Sequence, residues 1–198
     1  MTAQPKPEYL ELLNAISLGE SAAGVYLEAW ANATKDDELA DALRYVAARE
    51  SSHGEVFCRR IAELGFELED KPDPESAKRL ARYANPKISD AEKVGPDRVD
   101  NGAVTKFFEE TLQKVADGEY DPMTANLMEW YINEEKDSVK RLSGVYARIR
   151  GECAMEACET DMAAPAGPSA DAEAIMACMT AGFAGLEKTL NKLAKAIA

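Results

Sequence analysis

Apolar residues recur every three to four positions over two long segments in the first half of this chain. The first segment, A, runs from about Glu8 to Ala33, and the second, B, from about Asp37 to Leu64, with Gly65 as its stop signal. Only the short polar stretch ATKDDE separates them. Two long helices joined by so short a turn are expected to pack as antiparallel neighbours.

The second half repeats this pattern after a long irregular connection. Segment C covers about Gly102 to Ala116, and segment D covers about Pro122 to Arg150. Prolines interrupt residues 66–101, although ESAKRLARY within them favours a brief helix. Alternating runs of β-branched residues are missing from the sequence. The chain is therefore predicted to be all-α, with two helical hairpins joined by a long B–C crossover into a four-helix bundle.

The C-terminal part of the sequence differs in composition from the predicted bundle. Residues 1–152 form the bundle domain, residues 153–171 are a linker rich in Ala, Pro, Gly and Ser, and residues 172–198 form a further helix. Two interpretations of this C-terminal helix stay open. It packs either on its own bundle or on a partner subunit.

The charge balance argues against two classes of partner. The chain has 36 acidic and 23 basic residues, a net charge of −13, which repels nucleic acid and anionic membrane surfaces. Neither a signal-type N-terminus nor a run of roughly 18 apolar residues is present, so we expect a soluble, cytoplasmic protein. The cysteines form no Cys-x-x-Cys pair. Cys153 and Cys158 either bind a soft metal such as Cu(I) or are reducible thiols in an exposed tail.

Four polar residues fall on the apolar faces of the predicted helices. At about 100° of rotation per residue, Glu20 is central in the apolar stripe of A, and Glu50 and His53 share that of B. Glu135 lies on the stripe of D, whereas its neighbour Glu134 faces outward. A buried carboxylate is strongly unfavourable unless it is paired or binds a metal. Carboxylates and imidazole on three facing helices predict a cation site that suits iron or manganese.

Each of these residues alone has a simpler interpretation. A single glutamate on an apolar stripe is most often a rim residue that reaches solvent, and tyrosines such as Tyr26 and Tyr131 usually belong to the core. However, Glu20 and Glu50 are 30 residues apart around a turn near residue 35. An antiparallel hairpin brings them to one height, and this joint placement favours a site.

Two stretches of the first half resemble a known family. LGESAAGVYLEAWA in segment A and ARESSHGEVF in segment B are similar to the first two helices of the ferritin-like superfamily, most nearly its rubrerythrin branch. The resemblance implies a four-helix bundle with a non-haem di-iron centre that reacts with hydrogen peroxide or dioxygen, commonly in a dimer or larger assembly. It also implies that Glu20 is a terminal ligand, Glu50 a bridging carboxylate and His53 a terminal imidazole.

The second hairpin departs from the family pattern at two positions. Segment D should carry a second Glu-x-x-His, but Ser138 follows Glu135 at the histidine position. Segment C should offer a glutamate at the height of Glu135, where counting back 30 residues reaches Thr105; Glu110 is the nearer of two acidic candidates to the apolar face. The candidate metal ligands are therefore Glu20, Glu50, His53, Glu110 and Glu135.

These features together predict a ferritin-like iron protein, with manganese or zinc as substitute metals. The expected activity is a rubrerythrin-like oxidoreductase linked to peroxide or dioxygen, or iron handling. Because no rubredoxin-type module is present, redox cycling would require a separate electron donor. The alternative is a helical protein whose metal site has decayed and which acts in assembly or interaction.

Overall fold

The computed structural model describes residues 5–70, 73–95 and 103–151, and these residues form six helices. The helices are α1 (Leu10–Ala33), α2 (Asp37–Glu63), α3 (Ser76–Tyr83), α4 (Asp90–Val94), α5 (Ala103–Ala116) and α6 (Pro122–Arg150). No strand occurs within these ranges, so the predicted all-α class is confirmed. Segments A to D correspond to α1, α2, α5 and α6. The linker and helix predicted for residues 153–171 and 172–198 lie outside the described residues.

Short acidic residues and glycines define the ends of the long helices. The carboxylate of Asp36 accepts a backbone N–H group from the first turn of α2, and that of Asp121 accepts two from the first turn of α6. Gly65 after α2 and Gly151 after α6 have φ angles of 82° and 78°, a conformation that favours glycine. Among the described helices, none combines the length and apolar composition needed to cross a bilayer.

The contact between α1 and α2 is the most extensive one in the bundle, and two glycines make it close. Gly24 of α1 faces Ser51 of α2, and Gly54 of α2 faces Ser21 of α1; a Cβ atom built at either glycine would lie 2.2 Å from the serine Oγ. The Ser17 hydroxyl also donates to the Gly54 carbonyl oxygen at 2.8 Å. These small residues bring the two backbones together and hold the helices at a defined relative height.

The crossover between α2 and α5 contains α3 and α4, and hydrogen bonds near its start and near its end hold it against α1. Near its start, the Asn14 amide donates to the carbonyl of Glu69 at 2.9 Å and accepts from the N–H of Glu69 at 2.6 Å. Near its end, Nε1–H of Trp30 donates to Asp90 at 2.7 Å. The helix α3 lies in the predicted ESAKRLARY stretch. The helix α4 was not predicted, although a capping box formed by SDAE marks its start.

The two helices of the second hairpin differ in length. The helix α5 has 14 residues and α6 has 29, so at about 1.5 Å per residue α5 covers roughly half of its partner. Phe108 of α5 joins Met128 and Ile132 in an apolar cluster at the N-terminal half of α6. The C-terminal half of α6 packs instead near α4, where Val94 contacts a second cluster that contains Val145.

The two apolar clusters are separated by a gap at one height of the bundle. On α1 the first cluster ends at Ile16 and the second begins at Ala23. On α6 the corresponding residues are Ile132 and Val139. The candidate metal ligands of the first and last helices lie in this gap.

Candidate metal centre

Three helices bring four potential metal ligands together in the gap between the apolar clusters. Glu20 comes from α1, Glu50 and His53 from α2, and Glu135 from α6; one ligand atom of each lies within 4.8 Å of all the others. None of the four residues is more than 3% exposed. Metal–ligand bonds to oxygen and nitrogen are about 2.0–2.2 Å long in zinc sites, so atoms on opposite sides of an ion are about 4.4 Å apart. The cluster therefore has the dimensions of a coordination shell.

Most polar atoms in this cluster lack a hydrogen-bond partner. These atoms are Oε2 of Glu20, Oε1 of Glu50, both ring nitrogens of His53 and both carboxylate oxygens of Glu135. Buried polar atoms nearly always have partners, and a buried unpaired carboxylate is unfavourable by several kcal/mol. A cation among these atoms would satisfy them. The residues present thus fit a metal ion that prefers oxygen and nitrogen ligands.

The imidazole of His53 has a carboxylate near each of its nitrogens. Its Nδ1 is 3.1 Å from Oε1 of Glu135 and 3.8 Å from Oε2 of Glu20. Its Nε2 is 3.4 Å from Oε2 of Glu134, which lies at the outer edge of the cluster. Neither nitrogen has a hydrogen-bond partner among the described residues. Nδ1 lies on the side of the candidate ligands, so it is the nitrogen that faces a bound ion, whereas Nε2 lies on the side of Glu134.

Tyr131 orients one of the candidate ligands. Its hydroxyl donates to Oε1 of Glu20 at 2.8 Å, which leaves Oε2 of that carboxylate for the cluster. The ring is fully buried and packs edge-on against His53 and Phe57, with centroid distances of 5.2 Å in both cases. This tyrosine thus belongs to the core and also contacts the site.

Burial and like charges perturb the titration of the cluster. Burial, together with the charges of Glu20 and Glu135, raises the pKa of Glu50 well above its usual value. Burial and Glu20 also raise the pKa of Glu135 to about 8, although His53 opposes this rise. Burial lowers the pKa of His53, but the adjacent carboxylates of Glu135 and Glu20 outweigh burial and raise it to about 9. Groups perturbed in this way concentrate at functional sites, and a bound cation would favour ionised carboxylates and a neutral imidazole.

Comparison with known proteins assigns this geometry to a family. The sequence model of the family Rubrerythrin matches residues 11–146, more than half of the chain. The chain belongs to the rubrerythrin family. It is therefore a ferritin-like helical protein, and its buried glutamate and histidine cluster is a candidate for the metal site that this family suggests. No significant match was found among curated proteins or among solved structures.

The rubrerythrin-type site is incomplete on the side of α5, and the structure corrects the prediction for Glu110. The Glu110 side chain is 62% exposed and lies 3.6 Å from Lys106 of the same helix, outside the ligand cluster. The cause is helical phase, because Phe108 and Thr111 occupy the buried face of α5 and Glu110 lies between them in sequence. Thr105, at the expected height of a ligand, is also exposed.

The histidine position on α6 is taken by a different interaction. Ser138 is fully buried, and its Oγ accepts a hydrogen bond from Nη1 of Arg49 at 3.0 Å. The same guanidinium group contacts the carboxylates of Glu134 at 3.2 Å and Asp137 at 2.9 Å. Sequence reasoning missed Arg49 and expected Glu134 to face outward. The carboxylate of Glu134 is about one-third exposed but reaches back to the site, which helical phase alone does not reveal.

Proposed function

We propose that this chain is a non-haem iron protein of the rubrerythrin type that reacts with hydrogen peroxide or dioxygen, or handles iron at the same site. The supporting observation is the convergence of buried, unpartnered oxygen and nitrogen atoms from three helices. Carboxylates and imidazole suit iron and manganese, and zinc is an expected substitute.

Each residue around the cluster has a role in this proposal. Glu20, Glu50, His53 and Glu135 would hold the metal, and bound iron would supply redox chemistry and coordination positions for a small oxidant. Tyr131 keeps Glu20 oriented through its hydrogen bond. The apolar clusters on either side limit the access of bulk water to the buried carboxylates.

The reduction of an oxidant requires electrons from another source. The sequence contains no Cys-x-x-Cys pair for a rubredoxin-type iron–thiolate module. The proposal therefore includes a separate electron donor as a partner, with hydrogen peroxide or dioxygen as the small oxidant. Family resemblance supports a homodimer as the working assembly. The net charge of −13 argues against nucleic acid as a partner.

One observation favours a second candidate function. The replacement of a histidine by Ser138 and the exposure of Glu110 are the changes expected of a site that has decayed. In that case the chain would be a helical protein that acts in assembly or interaction. The two candidates differ in whether the four-residue cluster holds a metal ion in the purified protein.

Elemental analysis of protein purified from iron-replete cells tests the proposal. We expect bound iron in the wild-type protein and little in His53→Ala, because this variant removes the imidazole ligand. Glu110→Ala is the matched control, since it removes a carboxylate that lies outside the cluster. Equal iron content in the wild-type protein and His53→Ala would exclude this site. If iron is bound but neither peroxide nor dioxygen is consumed with a chemical reductant, the oxidoreductase part of the proposal is wrong.

A further inference from the structure

We propose that this site holds one metal ion and not two. The inference rests on the proposed metal-binding function and narrows it. The four ligand groups come from α1, α2 and α6, and their atoms all lie within 4.8 Å of one another. Two metal–ligand bonds of ordinary length span at most about 4.4 Å, so these atoms need to move by only a few tenths of an ångström to surround a single ion.

A second ion would need ligands of its own, which the described residues do not supply. Bundles that hold two ions combine one glutamate from each of two helices with a Glu-x-x-His pair from each of the other two. Here α1 supplies Glu20 and α2 supplies Glu50 and His53, so the first set is complete. The second set has only Glu135, because residue 138 is serine and the acidic residues of α5, Glu109 and Glu110, are exposed.

The guanidinium group of Arg49 lies next to Ser138, the position at which the second imidazole is missing. Nη1 of Arg49 is 3.0 Å from Oγ of Ser138, and this side chain is only 11% exposed. The carboxylates of Glu134 and Asp137 pair with this guanidinium group and balance its charge. A second ion beside Ser138 would therefore meet the hydrogen bond from Arg49 in place of an imidazole ligand.

Metal content and electron paramagnetic resonance of the Mn(II)-loaded full chain test this inference. Mn(II) is the probe because it prefers carboxylate and imidazole to the thiols of this chain. After excess Mn(II) is removed by desalting, we expect about one ion per chain and the signal of an isolated high-spin ion. Two ions per chain with an exchange-coupled signal would overturn the inference but leave the proposed function standing. No bound ion at all would overturn both.

A double variant tests whether Arg49 and Ser138 are the cause. Arg49→Met with Ser138→His removes the guanidinium group and restores an imidazole, so we expect its Mn(II) content to rise above one ion per chain. Glu110→Gln is the control and is expected to remain at one. If circular dichroism shows that the double variant is folded and it still holds one ion, Arg49 and Ser138 are not what prevents a second ion from binding. The wild-type measurement is decisive even if the double variant fails to fold.

Discussion

The two helical hairpins contribute unequally to the metal site. The first, α1 and α2, supplies Glu20, Glu50 and His53, and its helices are held close by glycines that face serines. The second, α5 and α6, supplies only Glu135 from its longer helix. Counting back 30 residues from Glu135 reaches the first turn of α5, so this helix barely extends to the height of the site. A complete ligand set thus requires two helices that both run past the site at close range.

A glycine-to-leucine substitution, made once in each hairpin, is the strongest test of this difference in packing and ligand supply. Gly54→Leu on α2 would place a Cβ atom 3.0 Å from the backbone N of Ser21 and 3.1 Å from the carbonyl O of Ser17. Since backbone atoms of a packed helix cannot easily move aside, we expect the free energy of unfolding to fall by about 3 kcal/mol. Metal binding should weaken as well, because the two helices that carry most ligands are forced apart. Denaturant unfolding measures the first effect.

Gly144→Leu on α6 is the matched control for this substitution. Among the described residues, a Cβ built at Gly144 meets no atom within 4 Å beyond its chain neighbours and the adjacent backbone of its own helix. Leucine has a higher helix propensity than glycine, so we expect this variant to gain up to about 1 kcal/mol. Equal destabilisation by the two substitutions would contradict the view that close packing is specific to the first hairpin.

Removal of one ligand should abolish stabilisation by metal. An ion that binds only the native state, at 100 times its Kd, raises the free energy of unfolding by about 2.7 kcal/mol. We expect this rise in the wild-type protein with Mn(II), and none in Glu50→Gln, which lacks a buried carboxylate ligand. Thermal unfolding with and without Mn(II) measures the difference. A full rise in Glu50→Gln would show that the ion binds elsewhere.

The contribution of the second hairpin to ligand orientation is tested at Tyr131. Tyr131→Phe removes the hydroxyl that donates to Glu20, and loss of such a supporting hydrogen bond typically lowers metal affinity about 10- to 100-fold. Titration calorimetry with Mn(II) measures this change. Tyr146→Phe, on the same helix but in the other apolar cluster, is the control and should bind normally. Unchanged affinity in Tyr131→Phe would mean that Glu20 is held in place without this hydrogen bond.

The N-terminus of α6 is joined to the first hairpin by a carboxylate whose effect depends on pH. Asp121 accepts hydrogen bonds from Tyr9 and Arg60, each at 2.7 Å. Burial raises the pKa of Asp121, but hydrogen bonds from Thr124, Tyr9 and Arg60 outweigh burial and hold it well below its ordinary value of 3.8. Because the folded-state pKa is the lower one, this carboxylate stabilises the fold above pH 3.8, and the contribution is lost as pH falls further.

Asp121→Asn removes the negative charge but keeps the helix cap, because asparagine is also a good N-cap residue. The variant therefore measures the contribution of the charge alone. We expect the variant to lose about 1 kcal/mol of unfolding free energy at neutral pH. The difference from the wild-type protein should shrink as pH falls below 3.8. Urea unfolding across this range measures the trend. A difference that stays constant with pH would show that ionisation of Asp121 does not stabilise the junction.

The smallest effect is expected at Glu110 on α5. Glu110→Gln removes only an exposed ion pair with Lys106, and such pairs contribute about 0.3–0.5 kcal/mol. Stability should change by no more than this, and Mn(II) affinity should not change. A clear loss of Mn(II) affinity, measured by the same titration, would show that α5 also supplies a metal ligand. The two hairpins would then not differ in the way described above.

Helical phase was sufficient to bring out the buried residues of the site. Glu20, Glu50, His53 and Glu135 lie among strongly apolar neighbours, so their inward direction follows from the 3.6-residue period. The period does not reveal contacts between helices that are distant in sequence. The hydrogen bond from Tyr131 to Glu20 spans 111 positions.

Two other features of the site differ from what the sequence predicted, and the reasons are different. The hydrogen bond from Arg49 to Ser138 spans 89 positions, and Arg49 itself resembles any charged residue on a helix surface. Glu110 was assigned to the site only because it was the nearer of two acidic residues to an apolar face. In the structure Phe108 and Thr111 occupy that face and the Glu110 side chain is exposed, in agreement with a helical phase that lies well away from the apolar face.

The close packing of glycines against serines between α1 and α2 also determines when the carboxyl groups of the site are brought together. Because these contacts involve uncharged residues, packing of the backbones holds the carboxylates of Glu20 and Glu50 at one height whether or not an ion is present. The unfavourable burial of the carboxyl groups, which raises the pKa of Glu50 and Glu135, is then completed during folding. An arriving cation meets a preorganised site, so its capture requires little loss of conformational entropy.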